Sequence, residues 1–211
     1  MSRIIYLHGF ASGPSSKKAR FFAEQFAQLG MGLEIPDLAQ GDFARLTISG
    51  QLGVIERVAR GEPVSLIGSS MGGYLAAFYA ARHPEVEKLV LLAPAFSFLT
   101  RWPETLGPEA LEEWKRTGVL KVFHHVEGRT VELGYQLIED AARYEAYPAV
   151  TQPTLIFHGK NDTVVPASHS VLFAGQHPGV KLRLLESDHE LLNVLDDIWI
   201  ESEEFLFGRT K

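Results

Sequence analysis

Gly68-Ser69-Ser70-Met71-Gly72 sets a serine between two glycines. It follows the apolar run Val64-Ser65-Leu66-Ile67 and precedes the small and apolar run Tyr74 to Ala81. A G-x-S-x-G pattern carries chemistry when it bridges a strand and a helix, because the sharp turn lifts the serine hydroxyl out of the sheet and aims the helix N-terminus at the reacting centre. The plainer reading is an ordinary tight turn between strand and helix. A serine hydroxyl is a weak nucleophile and needs a base, usually histidine, and a third group to orient that base. Eight histidines compete. Reactive groups of open α/β sheets gather at the carboxyl ends of the strands, which selects His8, His158 and His189. His8 and His158 each open a His-Gly pair directly at a strand end, where they shape a turn or an anion-binding loop. His189, in Glu186-Ser187-Asp188-His189-Glu190, lies just past the last strand and is the best base. The plainer reading of His189 is an exposed residue at a helix start. For the acid, Asp162 follows the strand that ends at His158 and can reach the same end of the sheet as Ser70. Asp188 ranks second, since neighbouring residues seldom aim their side chains at each other.

Acyl chemistry at a serine also needs backbone N–H donors for the developing oxyanion. Met71, directly after the serine, supplies one candidate. Phe10, in the His8-Gly9-Phe10 loop after the first strand, supplies the other. The loop Ala11 to Ser16 carries neither G-K-S/T nor G-x-G-x-x-G, so a nucleotide cradle is rejected. Ser15 or Ser16 is placed to cap the next helix.

These residues need elements to hold them, and the chain alternates between strand and helix periods. Strands are expected at Arg3–Leu7, Met31–Ile35, Val64–Ile67, Lys88–Ala93, Thr154–His158 and Val180–Leu185. Helices are expected at Ser16–Leu29, around Ile48–Ala59, at Ser70–Arg82 and from Leu191 to about Phe205. Several strands are almost wholly apolar, as in a parallel sheet covered on both faces. The fold class is α/β: about six strands, mostly parallel, flanked by helices in a single domain spanning 1–211. An insertion at about 96–148 breaks the alternation with no clear strand and one helix over Leu137, Ala141 and Tyr144. A stretch of that length is usually functional, and a small helical lid is the expectation, against a decoration that covers a sheet edge. Its Phe96, Phe98, Trp102 and Trp114, with Phe10, either wall an apolar acyl site or form the core that ties the insertion to the sheet. His8 and Gly9 are further candidates for contact with substrate.

Composition removes other classes. The net charge is −6 and no block of Lys and Arg stands out, which argues against a nucleic-acid partner. There is no cysteine, so thiol catalysis and Cys-bound zinc are excluded. His124-His125 has no third ligand at suitable spacing, and neither a metal nor an organic cofactor is expected. No stretch reaches transmembrane length, and the N-terminus lacks a secretory pattern, so a cytoplasmic protein with no membrane partner is expected.

Four blocks, Tyr6-Leu7-His8-Gly9-Phe10, Gly68 to Gly73, His158 to Pro166 and Ser187-Asp188-His189, together resemble the α/β-hydrolase superfamily. The likeness is greatest to its small bacterial serine esterase branch (YqiA/YcfP-like), with abhydrolase-type acyl-thioesterases as relatives. The resemblance implies Ser70 as nucleophile, Asp162 as acid, His189 as base, and Phe10 and Met71 as oxyanion donors. It implies a minimal sheet of six parallel strands that starts at the family's third strand, leaving an edge that a partner chain could cover in a homodimer. The expected substrate is a small acyl ester of short to medium chain. The alternatives are an acyl-thioester or a non-catalytic homologue that binds a ligand in the same pocket. A peptidase is disfavoured for want of a large cap, and a dehalogenase because the elbow carries serine where that chemistry needs aspartate.

Overall fold

The computed structural model of the protein describes residues 3–208, and at Leu99, Thr100 and Pro103 the backbone alone. The central sheet contains β1 (Arg3–Leu7), β2 (Val64–Ser69), β3 (Val86–Leu92), β6 (Thr154–Gly159) and β7 (Val180–Leu185). They lie in the order β1-β2-β3-β6-β7, all parallel. The expected sixth strand, Met31–Ile35, is reduced to one bridge. Tyr6 N–H donates to the Glu34 carbonyl at 2.8 Å, and Glu34 N–H donates to the Ile4 carbonyl at 3.1 Å. The next donor of a parallel ladder falls on Pro36, which has no N–H, so pairing stops.

Period-two alternation sorts the strand residues to two faces. Ile5, Leu7, Leu66, Leu89, Leu91 and Ile156 are buried with α2 (Ile48–Ala59) and α3 (Met71–Ala80). Ile4, Tyr6, Ile67, Val90, Leu92 and Phe157 are buried with α1 (Lys17–Gln28) and α8 (Leu195–Phe207). The helix starts follow from local chemistry. Ser16 Oγ accepts from Ala19 N–H and Thr47 Oγ1 from Gly50 N–H, each satisfying a first-turn donor that has no intrahelical partner. Phe22 and Phe26, one turn apart on α1, meet Trp199 of α8 edge-on. Burying side chains of this size contributes about 1.5–3 kcal/mol each.

All ten residues of α3 are buried, so this helix has no solvent face. Its outer side is covered by the segment between β3 and β6. That segment holds α4 (Phe98–Leu106), α5 (Pro108–Thr117), β4 (Val119–His124), β5 (Arg129–Gly134) and α6 (Gln136–Ala141). Here the expectation of no strand is corrected: β4 and β5 form an antiparallel hairpin separate from the main sheet. Within β5, Val131 and Leu133 point inward while Thr130 and Glu132 are exposed, a period-two pattern. The expected helix over Leu137, Ala141 and Tyr144 is the shorter α6. Polar ties fasten the segment. The Asp140 carboxylate accepts from Ser49 N–H and Oγ–H at 2.7 and 2.6 Å, and Tyr74 O–H donates to the Glu145 carbonyl at 2.8 Å. Helix α7 (Ser168–Gln176) completes the layer beside β7.

Candidate active site

Ser70, between β2 and α3, has φ 53° and ψ −117°, a conformation that L-residues rarely adopt. Four backbone hydrogen bonds hold it there. Ser70 N–H donates to the Leu92 carbonyl, and the Ser70 carbonyl accepts from Gly73, Tyr74 and Ala95. The flanking glycines are steric requirements. A Cβ on Gly72 would stand 2.1 Å from the Leu7 carbonyl oxygen, and one on Gly68 would stand 2.4 Å from that of Gly72. The elbow therefore exists only where β1, β2 and α3 cross with no side chain between them.

His189 lies in the loop between β7 and α8. Its Nε2 is 3.0 Å from Ser70 Oγ, and its Nδ1 is 2.7 Å from Asp162 Oδ2. An ionised carboxylate only accepts, so Nδ1 carries the proton and Nε2 presents its lone pair to the serine hydroxyl. Asp162 sits in the turn after β6, with Oδ1 accepting from Val164 and Val165 N–H at 2.8 and 2.7 Å. Burial alone would push its carboxyl up. Hydrogen bonds from His158 and His189, electrostatic attraction to His189 and the Val165 amide outweigh burial and hold it well below the usual carboxylate range. Asp188 turns away and accepts from Glu190 and Leu191 N–H. Its carboxylate shapes the loop that carries His189.

His158 does more than shape a turn. It is fully buried, with Nε2 2.8 Å from the Val165 carbonyl and 3.1 Å from Asp162 Oδ2. Both neighbours are acceptors, so Nε2 carries hydrogen, and Nδ1 accepts from Ser170 Oγ–H at 2.7 Å. The Asp162 carboxylate thus receives two imidazole N–H groups on Oδ2 and two amides on Oδ1. The four-residue spacing from His158 to Asp162 around one turn was the available sequence signal for this contact.

The Ser70 hydroxyl faces a cavity of about 360 Å³. Phe10, Met71, Phe96, Phe98 and Trp102 are among the residues that line it. Among the described residues, neither Phe10 N–H nor Met71 N–H donates to a backbone carbonyl. Gly9 lies against the nucleophile, where a Cβ would be 3.3 Å from Ser70 Cβ. Three expected contact residues are not part of the cavity lining: Gly9, Trp114 and His8. Trp114 is buried within the inserted segment, donating to the Leu133 carbonyl at 3.0 Å and meeting Trp102 edge-on. His8 is also buried. Its Nε2 accepts from Leu38 N–H at 3.1 Å and its Nδ1–H faces the Gly9 carbonyl, which braces the loop carrying Phe10. Burial lowers the His8 pKa. Sequence reasoning missed Arg101, Thr105, Thr163, Val164 and Val165, which also line the cavity. Phe98, Arg101, Trp102 and Thr105 follow the i, i+3, i+4, i+7 spacing of one helix face, a signal present in the sequence. Among the described residues, no three His, Asp or Glu side chains gather as a metal-ligand cluster.

The comparisons with known proteins agree with this architecture. A family model described as an uncharacterised protein family, UPF0227, matches residues 3–202. The chain belongs to that family. It is 28% identical over 212 residues to the mitochondrial palmitoyl-protein thioesterase ABHD10 of Rattus norvegicus, covering 92% of this chain and 70% of that one. The mouse alpha/beta hydrolase domain-containing protein 10 superposes with a TM-score of 0.82 at 23% identity, covering 97% of this chain and 89% of that one. A structure of the metagenome-derived lipolytic enzymes LipS and LipT superposes with a TM-score of 0.70 at 26% identity, over 99% and 95% of the two chains. The UPF0227 chain therefore has the α/β-hydrolase fold, with its five parallel strands flanked by helices. No described helix is long and apolar enough to cross a membrane.

Proposed function

We propose that this UPF0227 protein is a serine carboxylic-ester hydrolase acting on short to medium acyl esters. The reading rests on one observation: the unbroken hydrogen-bond line Ser70–His189–Asp162 opening on an apolar cavity. Nε2 of His189 takes the Ser70 proton as Oγ attacks the acyl carbonyl. Asp162 holds the imidazole in the required tautomer and stabilises the imidazolium. Phe10 and Met71 N–H donate to the tetrahedral oxyanion, each worth roughly 3 kcal/mol by analogy with other such donors. The imidazolium returns its proton to the leaving oxygen, an acyl-enzyme remains on Ser70, and water attacks it by the same route.

The cavity volume lies near the low end of the roughly 300–1,000 Å³ usual for small-molecule sites, which favours acyl groups of modest length. An acyl-thioester is the second reading, favoured by the name of the rat relative. The chemistry is the same with a thiol leaving group.

Hydrolysis of a p-nitrophenyl ester series by the wild type and Ser70→Ala tests the reading. The variant is expected to lose about four to six orders of magnitude in kcat. Equal, low rates for both proteins would remove Ser70 from the role of nucleophile and bring forward a ligand-binding homologue. The rate should also fall on acidification, since a protonated His189 cannot accept the serine proton.

A further inference from the structure

We infer that Arg101 reads a carboxylate carried by the substrate, so that the favoured esters have an anionic second group. The inference rests on the hydrolase reading above, in that it assigns the substrate class of the same site.

Arg101 lies on the face of α4 that lines the Ser70 cavity, beside Phe98, Trp102 and Thr105. Arg101 is partly exposed, so its guanidinium remains open to a ligand that enters from solvent. Arg101 Nη1 donates to the Val164 carbonyl at 2.7 Å, and among the described residues no carboxylate pairs with it. Arg3, Arg82, Arg116 and Arg183 each lie within hydrogen-bond distance of a carboxylate, whereas Arg101 joins Arg57, bonded to the neutral Gln40 amide, in having none among the described residues, and Arg101 alone of these lines the Ser70 cavity. In a chain with net charge −6, carboxylates are not scarce. The single bond to Val164 uses one of five N–H donors and fixes the guanidinium against the loop that also carries Asp162. The hydroxyl-bearing Thr105 and Thr163 line the same cavity. One fixed cation with neutral hydroxyls nearby matches a monoanion in charge, and the planar fork matches a carboxylate in shape. The remaining walls, Phe10, Phe96, Phe98 and Trp102, would take the carbon chain between that carboxylate and the ester.

The test compares p-nitrophenyl hemiesters of adipate, pimelate and suberate with the hexanoate, heptanoate and octanoate esters. Wild type, Arg101→Gln and Arg101→Lys are measured side by side. Glutamine removes the charge and the planar fork, and lysine keeps the charge without the fork. The ratio of kcat/KM for the hemiester to that for the neutral ester is expected to fall about ten- to hundredfold in Arg101→Gln, mainly through KM, and to recover in part in Arg101→Lys. An unaltered ratio, including equal losses on both substrate types, overturns the inference.

A binding readout separates this inference from the hydrolase reading. Adipamate, an amide with one free carboxylate, and neutral adipamide are titrated into Ser70→Ala with and without Arg101→Gln, by calorimetry. Tighter binding of adipamate that is lost with Arg101→Gln supports the inference even if no ester is hydrolysed. Equal binding of the two amides, or no binding of adipamate, overturns it whatever the esterase assay gives.

Discussion

At the scale of single residues, the site depends on how completely Asp162 is surrounded. A carboxylate that only oriented His189 could spare three of its four hydrogen bonds, yet all four acceptor directions are occupied. That geometry fixes the plane of the carboxylate and, through it, the plane of the imidazole. His158 is the member that the proposed chemistry does not consume. It is a positioning residue, acting through Asp162. Replacing His158 with alanine leaves Ser170 and one lone pair of Oδ2 without partners in a buried place. The expected cost is about 1–3 kcal/mol of stability. If the role is positioning, kcat falls roughly ten- to hundredfold with KM nearly constant, and His158→Gln, which keeps a donor near Oδ2, restores part of it. A loss of stability with kcat intact would reduce His158 to a packing residue. The quantities to record are kcat and KM separately, beside a denaturant melt.

At the scale of elements, the strained turn at Ser70 is maintained by neighbours that bring no Cβ to the crossing of β1, β2 and α3. Gly72→Ala is expected to cost about 3–5 kcal/mol, or to prevent folding, because the clashing partner is backbone that cannot swing aside. Gly175 is the matching control. It lies in α7, a Cβ there meets nothing within 4 Å, and Gly175→Ala should gain about 0.4–1 kcal/mol. Thermal melts of the two variants decide this, and equal effects would discredit the steric account. The inserted segment depends on Asp140, whose carboxylate satisfies an N-terminal donor of α2 from a distant part of the chain. Asp140→Ala should cost about 1–3 kcal/mol and make the segment more sensitive to protease before the sheet unfolds. These elements also show what the sequence could and could not reveal. Strands such as Thr154–Gly159 were legible because a buried parallel strand is a short apolar run with turn residues at its end. The bridge at Glu34 was misread as a strand because its apolar run is ordinary and only the missing N–H of Pro36 ends the pairing. The hairpin went unseen because β4 exposes Val119 and Phe123, which blurs its alternation. Ser70, His189 and Asp162 were legible because each stands at a strand end. The contact of His158 with Asp162 had only their four-residue spacing as a signal, because a histidine at a strand end has the same local sequence whether it braces a turn or a carboxylate.

At the scale of the whole molecule, the buried carboxylate links the site to the acid stability of the fold. The Asp162 carboxyl titrates well below the usual range when folded, whereas in the unfolded chain it returns to about 3.9. Between those two values the unfolded state binds the extra proton, so stability rises with pH there. The contribution is complete above about pH 5 and is lost as pH falls through the folded-state value. A single group of this kind steepens the slope of unfolding free energy by at most about 1.4 kcal/mol per pH unit. Asp162→Asn removes that titration while leaving an amide oxygen for His189 and His158. Its stability is therefore expected to depend less on pH between about 5 and 2, and to approach the wild-type curve at the acid end. Other carboxylates held low, such as Glu85 beside His83, contribute equally to both proteins and cancel in the difference. Urea melts at half-unit pH intervals measure that difference directly. Parallel curves would mean that Asp162 is not held low in the folded protein, and the fully bonded carboxylate at the centre of the site would lose its electrostatic support.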